Sequence, residues 1–76
     1  MRITLKLESS YLRNKYFSNS LELVYNKPIS VRKVLKDAKI SPMEIFFIKV
    51  GDIIVKPDYI INEPVEIKLL PVSIAG

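Results

Sequence analysis

Hydrophobic and polar residues alternate along much of this chain, and each alternating stretch predicts a half-buried β-strand. Five segments show the alternation, or a run of β-branched and aromatic residues typical of strands: 3–7, 21–25, 44–50, 53–55 and 65–70. Pro71 is expected to end the last strand, because proline has no N–H to give to a sheet. The dipeptide Gly51-Asp52 predicts a tight turn of type I′ or II′ between two of the strands.

Between the second and third strands the apolar spacing changes to that of a helix. Four residues fall at i, i+3, i+4 and i+7: Val31, Val34, Leu35 and Ala38. Ser30 is placed to cap the first turn, and the helix is expected to end near Lys39, ahead of Pro42. The pattern therefore predicts one helix, from Val31 to Lys39, with one apolar stripe.

Two segments show no such period. Residues 9–20 predict a long loop that contains Tyr11, Tyr16 and Phe17 beside basic residues. Aromatic and basic residues together can stack on nucleic-acid bases, but we expect these aromatics to fold back over the core. Residues 59–61 are expected to cross over the edge of the sheet.

A single helix with one apolar stripe must pack on one face of one sheet. The order of the elements predicts an α+β fold of the β-grasp, or ubiquitin-like, type, with a mixed sheet of four or five strands. We expect residues 1–70 to form one such domain and residues 71–76 to form a flexible tail.

The composition narrows the possible functions. The 76 residues are enough for one domain, and 12 basic against 8 acidic residues give a net charge of +4. That charge indicates a solvated helix face, an acidic protein partner or nucleic acid. The chain contains no His and no Cys, so the usual nucleophile–base pairs and most transition-metal sites are not expected. The charged, alternating start does not look like a signal peptide, no apolar run is long enough for a membrane span, and we expect a cytoplasmic protein.

Five short segments give the chain a resemblance to a known family. They are Y-L-R at 11–13, S-V-R-K-V-L at 30–35, V-G-D-I-I-V at 50–55, N-E-P-V-E-I at 62–67 and L-P-V-S-I-A-G at 70–76. In their order and spacing the chain resembles the sulfur-carrier family of thiamine and molybdopterin biosynthesis (ThiS and MoaD) over nearly its whole length. The family usually ends in Gly-Gly, and this chain has Ala75 before Gly76.

The resemblance implies a co-substrate and not an enzyme, or the small subunit of a synthase if the chain is MoaD-like. It implies that the C-terminal carboxylate of Gly76 is adenylated and converted to a thiocarboxylate. No cofactor is expected on this chain, since ATP and Mg²⁺ belong to the activating enzyme. The expected partners are this adenylating enzyme, a sulfur donor, and a thiazole synthase or the large subunit of a molybdopterin synthase. The residues expected to contact a partner are Leu70, Pro71, Val72, Ser73, Ile74, Ala75, Phe46 and Phe47.

Two other functions remain open at the level of the sequence. A ubiquitin-like protein modifier would use the same tail and join Gly76 to a lysine. A small basic β-grasp module could bind RNA, although the basic residues are not aligned with aromatics, and we expect weak, salt-dependent binding. The residues do not distinguish a thiamine pathway from a molybdopterin, tungstopterin or other sulfur pathway.

Overall fold

The computed structural model describes residues 1–17, 19–41, 43 and 45–71. Nine elements follow one another: β1 (Arg2–Leu7), α1 (Ser10–Lys15), β2 (Leu21–Val24), β3 (Ile29–Ser30), α2 (Val31–Asp37), β4 (Ile45–Val50), β5 (Ile53–Val55), β6 (Ile60–Ile61) and β7 (Val65–Pro71). The described part of the chain is therefore a small α+β domain, and the predicted fold class is confirmed at that level.

Five strands form one mixed sheet in the order β2-β1-β7-β4-β5. Strands β1 and β7 are parallel, with Ile3 opposite Val65 and Leu7 opposite Leu69, and the other neighbours are antiparallel. The first and last strands of the main sheet are therefore neighbours. Because side chains alternate along a strand, this register turns the apolar residues of both strands to the same face.

The core lies between that face and helix α2. Ile3, Leu5 and Ile67 from the sheet are fully buried together with Val31 and Val34 from the helix. The predicted apolar stripe is confirmed. The opposite face of α2 consists of exposed residues, namely Arg32, Lys33, Lys36 and Asp37.

Helix α2 begins at Val31, directly after the predicted capping residue Ser30. The hydroxyl of Ser30 accepts a hydrogen bond from the Lys33 N–H at 3.1 Å. The two first N–H groups of the helix donate to a neighbouring segment: Val31 to the Tyr59 carbonyl at 2.9 Å and Arg32 to the Pro57 carbonyl at 2.8 Å. Backbone groups that a helix leaves unpaired at its start are thus satisfied by residues 57–59.

The prediction of a loop over residues 9–20 is wrong for its first half. Residues Ser10–Lys15 form helix α1, capped by the Ser9 hydroxyl, which accepts from the Leu12 N–H at 3.2 Å. This helix buries Leu12 alone, so its sequence lacks the repeated apolar spacing that announces a helix. The expected aromatic cover over the core is confirmed for Tyr16 and Phe17, which pack against it. It is wrong for Tyr11, which is 57% exposed.

Residues 59–61 also differ from the prediction. Ile60–Ile61 forms strand β6, which pairs with β3 in a separate two-stranded sheet instead of crossing the main sheet edge. The turn between β4 and β5 is confirmed, since Val50 pairs with Ile53 across two residues. Gly51 has a φ of 63° and Asp52 does not have a positive φ, which is the sign combination of type II′. Among the described residues, no helix has the length and apolarity that a membrane crossing needs.

Candidate docking face and tail exit

Strand β7 leads into the predicted tail from the centre of the sheet. It lies between β1 and β4, and its last pair joins Pro71 to Ile45. Pro71 therefore belongs to the strand, and its prediction as the first residue of the tail is wrong. The Glu8 N–H donates to the Leu69 carbonyl at 2.9 Å and anchors the same end of β7 to the residue after β1. The predicted reactive residue Gly76 and the predicted contact residues Val72, Ser73, Ile74 and Ala75 lie outside the described residues.

Phe47 and Leu70 form a cross-strand pair on the side of the sheet away from α2, here called the open face. The next pair, Ile48 and Leu69, is 5% and 0% exposed, so alternation turns Phe47 and Leu70 the other way. Phe47 is 39% exposed and Leu70 is half-buried. Two of the residues expected to contact a partner, Leu70 and Phe47, thus lie on the open face. The side chain of Phe46 lies outside what the structure describes.

A β-bulge at the start of β4 sets this orientation. Pro71 pairs with Ile45 and Leu70 pairs with Phe47, so two steps along β4 match one step along β7. The extra residue lets both Ile45 and Ile48 pack on the core, although a regular strand would turn them to opposite faces. The alternation pattern does not predict this bulge, for which the adjacent aromatics at 46 and 47 are the available signal.

Three lysines cross the centre of the open face. Lys6, Lys68 and Lys49 are opposite one another on β1, β7 and β4, and we call them the lysine row. Lys6 forms an ion pair with Glu66 at 3.2 Å. Within the described residues, neither Lys49 nor Lys68 forms an ion pair. The row is not predictable from the sequence, because only the register of three distant strands brings the lysines together.

The other basic and aromatic groups lie elsewhere. Lys15 places its ammonium 5.9 Å from the ring centre of Tyr11 and 5.8 Å from that of Tyr16, within reach of a cation–π contact. These groups belong to helix α1 and the turn after it. The exposed cations Arg32 and Lys36 belong to α2. The expectation that the aromatics lie apart from the basic helix face is wrong for Tyr25, whose hydroxyl donates to Asp37 beside Lys33 on that face.

Asp37 on α2 links the helix to the end of β2. Its carboxylate accepts a hydrogen bond from the Tyr25 hydroxyl at 2.7 Å and forms an ion pair with Lys33 at 3.1 Å. The hydrogen bond from Tyr25, followed by the one from Lys33, lowers the pKa of Asp37. Burial, followed by the hydrogen bond to Asp37, raises the pKa of Tyr25 well above its usual range. These contacts lie at an exposed site and connect α2 with the residue that follows β2.

No other feature of the described chain suggests a ligand site of defined chemistry. Among its described residues, no three metal-binding side chains converge. Comparisons with protein-family models, with curated proteins and with solved structures found no match to this chain. The open face and the end of β7 are therefore the features from which a function can be inferred.

Proposed function

We propose that this chain is a sulfur carrier of the β-grasp type. The carboxylate of its terminal glycine, Gly76, is adenylated by a partner enzyme and converted to a thiocarboxylate. The thiocarboxylate donates sulfur in thiamine (thiazole) or in molybdopterin or tungstopterin cofactor biosynthesis. The observation that carries the proposal is the position of β7, which runs through the centre of the sheet and leads directly into residues 72–76.

The topology supports the β-grasp assignment. The first and last strands are parallel neighbours in the middle of the sheet, each flanked by an antiparallel strand, and α2 packs across one face. This arrangement is compatible with the β-grasp type that the order of elements and the resemblance predict. Strand β7 is hydrogen-bonded to a neighbouring strand on each side, so the end of the strand that precedes the tail has a defined position in the sheet.

The proposed reaction needs little from the carrier beyond its carboxylate. One carboxylate oxygen attacks the α-phosphorus of ATP, the bond to pyrophosphate breaks, and an acyl adenylate forms. A sulfide-equivalent nucleophile then attacks the acyl carbon, and AMP leaves with the bonding electron pair. The partner enzyme supplies the Mg²⁺ and the groups that stabilise the transition states.

The residues of the tail suit this chemistry. Gly76 has no Cβ that would crowd the acyl carbon. Glycine also adopts a wider range of φ values than other residues, which helps an extended chain to thread a narrow channel. Residues 71–76 carry no charged side chain, so entry into a water-poor channel leaves no buried side-chain charge. Pro71 restricts the chain at the point of exit and reduces the entropy lost on threading.

The Phe47–Leu70 pair offers a contact for the partner beside this exit. Leu70 directly precedes Pro71, and its neighbour Phe47 exposes more than a third of its surface. Aromatic side chains at the centre of an interface commonly provide a large share of the binding energy. In the proposal, the enzyme binds this pair while the tail enters its active site.

The experiment combines exchange kinetics with intact-protein mass. The purified chain is incubated with ATP, Mg²⁺ and each ubiquitin-activating-type enzyme encoded in its source genome, and ATP–pyrophosphate exchange is measured. The expected result is exchange with one enzyme and, after addition of a sulfur donor, a mass change equal to replacement of one oxygen by sulfur. The chain without Gly76 is the control and should support neither.

Two results would contradict the proposal. If the chain supports ATP–pyrophosphate exchange with none of the enzymes, the proposed carrier function is wrong. Exchange followed by isopeptide conjugates on lysines, without a thiocarboxylate, would identify a protein modifier in its place.

A further inference from the structure

The lysine row places like charges where a sheet does not favour them. Lys49 and Lys68 are directly opposite on adjacent antiparallel strands, and Lys6 stands opposite Lys68 on the other side. Like charges at directly opposed positions destabilise a sheet. Among the described residues Glu66 pairs with Lys6, which leaves two ammonium groups of the row without a carboxylate. The charges of the row therefore do not stabilise the sheet.

We propose that the lysine row binds carboxylates of an acidic protein surface that docks on the open face. The partner places apolar side chains over Phe47 and Leu70 and acidic side chains over the row. This inference deepens the proposed function by giving the charge of the partner's surface. The identity of the partner, an adenylating enzyme, is taken from the proposed function. The acidic docking surface itself does not depend on the chemistry at Gly76.

The geometry defines the partner's surface. Phe47 and Lys49 are two residues apart on β4, and Leu70 and Lys68 are two apart on β7, so the apolar pair and the lysine pair are neighbours on one face. With a strand spacing of about 4.8 Å, the row extends over roughly 10 Å. At the sheet edge Ile54, opposite Lys49 and 61% exposed, adds a second apolar contact. The face thus suits a surface that alternates acidic and apolar side chains.

The acidic residues of the open face favour a protein over nucleic acid. Glu66 lies beside the row and forms an ion pair with Lys6, which belongs to it. On the same face Glu22 forms an ion pair with Arg2 at 3.6 Å. A phosphate backbone laid along the row would approach Glu66, and like-charge contact of this kind is costly. A protein surface can place an apolar or hydrogen-bonding group there. Charge complementarity is therefore better for a mixed acidic and apolar protein surface.

The experiment is an NMR titration of the ¹⁵N-labelled full chain with three probes. The first is a synthetic peptide that alternates Asp or Glu with Leu and Phe, the second is the same peptide with Asn and Gln in place of the acids, and the third is a single-stranded RNA of twelve nucleotides. The expected result is that only the acidic peptide changes the chemical shifts of residues in β1, β4 and β7. These changes should disappear at high salt. Equal shifts with the neutral peptide, shifts confined to α2, or no shifts would each overturn the proposal. Stronger shifts of the open face with RNA would overturn it in favour of nucleic acid.

Two charge reversals provide the matched comparison. Lys68→Glu should weaken binding of the acidic peptide roughly tenfold or more, because one cation becomes a like charge for the partner. The same variant should raise the midpoint of urea unfolding, since it places a carboxylate between Lys6 and Lys49. Lys36→Glu makes the same change of charge on the exposed face of α2 and should leave peptide binding unchanged. Equal peptide affinities of Lys68→Glu and the native chain would overturn the proposal.

Kinetics with the adenylating enzyme separate this inference from the proposed function. Lys68→Glu should raise the KM for the carrier roughly tenfold and leave kcat nearly unchanged, because it alters docking and not the reacting carboxylate. Removal of Gly76 should abolish turnover. Turnover that requires Gly76 but has the same KM for Lys68→Glu and the native chain would retain the carrier function and overturn the acidic docking surface.

Discussion

The N–H of Ile40 donates to the carbonyl of Leu35 at 3.0 Å, and this bond closes helix α2. The Lys39 N–H donates to the Lys36 carbonyl, also at 3.0 Å, and Lys39 itself has a φ of 61°. The two bonds and the left-handed residue form a Schellman motif. Leu35 and Ile40, the two residues at which this motif usually places an apolar contact, both belong to the buried core. The helix therefore ends at Asp37, two residues before the end predicted from Pro42.

Lys39 occupies a backbone position that favours glycine. The left-handed conformation costs a residue with a Cβ about 1–2 kcal/mol, part of which is recovered from lower entropy of the unfolded chain. Lys39→Gly should therefore stabilise the protein by about 0.5–1 kcal/mol in urea unfolding. Lys36→Gly is the control in ordinary helical backbone and should destabilise it by about 1 kcal/mol. Destabilisation by both changes would refute the strain assigned to Lys39.

Leu35 is a buried residue on the apolar stripe of α2. Its side chain is 1% exposed and belongs to the main core cluster. Leu35→Ala should destabilise the protein by about 2–5 kcal/mol, because the change removes buried methyl groups and leaves a cavity. Denaturant melts measure the effect, and a loss below about 0.5 kcal/mol would mean that the helix does not pack as described.

The Tyr25–Asp37 hydrogen bond predicts how stability depends on pH. Because the folded state lowers the pKa of Asp37, its contribution is present at neutral pH and is lost as the pH falls below about 4. Because the folded state raises the pKa of Tyr25, its contribution is present below about pH 10 and is lost above it. Tyr25→Phe should move the pKa of Asp37 back up, measured by carboxyl NMR titration. An unchanged Asp37 titration would show that the hydrogen bond does not form in solution.

Strong local patterns were enough to predict much of the fold. Alternation gave the strands, and the Ser30 cap with the Val31–Leu35 stripe gave the main helix. Strands β3 and β6 were missed because two-residue strands have no period, and α1 was missed because it buries only Leu12. Each of these elements depends on contacts with distant parts of the chain.

The candidate site was predictable to a smaller extent. Because side chains alternate along a strand and Leu69 is buried, Leu70 is expected to face outward. For the same reason, one of the two adjacent phenylalanines, at 46 and 47, is expected to face outward. The bulge that selects Phe47 and the register that assembles the lysine row are long-range properties. A single sequence does not show which residues of three distant strands stand opposite one another.

The lysine row also makes a prediction about stability alone. Lys68→Glu replaces two like-charge contacts by two opposite-charge contacts and should stabilise the sheet by about 0.2–1 kcal/mol. The effect should fall as salt is added, because the side chains are partly exposed. Urea unfolding at low and high salt measures both. A loss of stability at low salt would contradict the strand register that aligns the row.

The central claim is that the terminal carboxylate of Gly76 is the reacting group. One residue added after Gly76 moves the terminal carboxylate by about 3.5 Å, and misplacement of about 1 Å can already cost ~100-fold in a positioned reaction. The added residue should leave the unfolding free energy unchanged, because no described core residue is altered. Ala75→Gly should keep or increase activity, because it removes a methyl group from the threaded tail.

The most direct measurement is therefore ATP–pyrophosphate exchange with the cognate adenylating enzyme, for the native chain and for the chain extended by one residue. The proposal predicts exchange with the native chain and its loss with the extended chain, with equal unfolding curves for the two proteins. Equal exchange by both chains would show that Gly76 is not the acceptor and would contradict the carrier function.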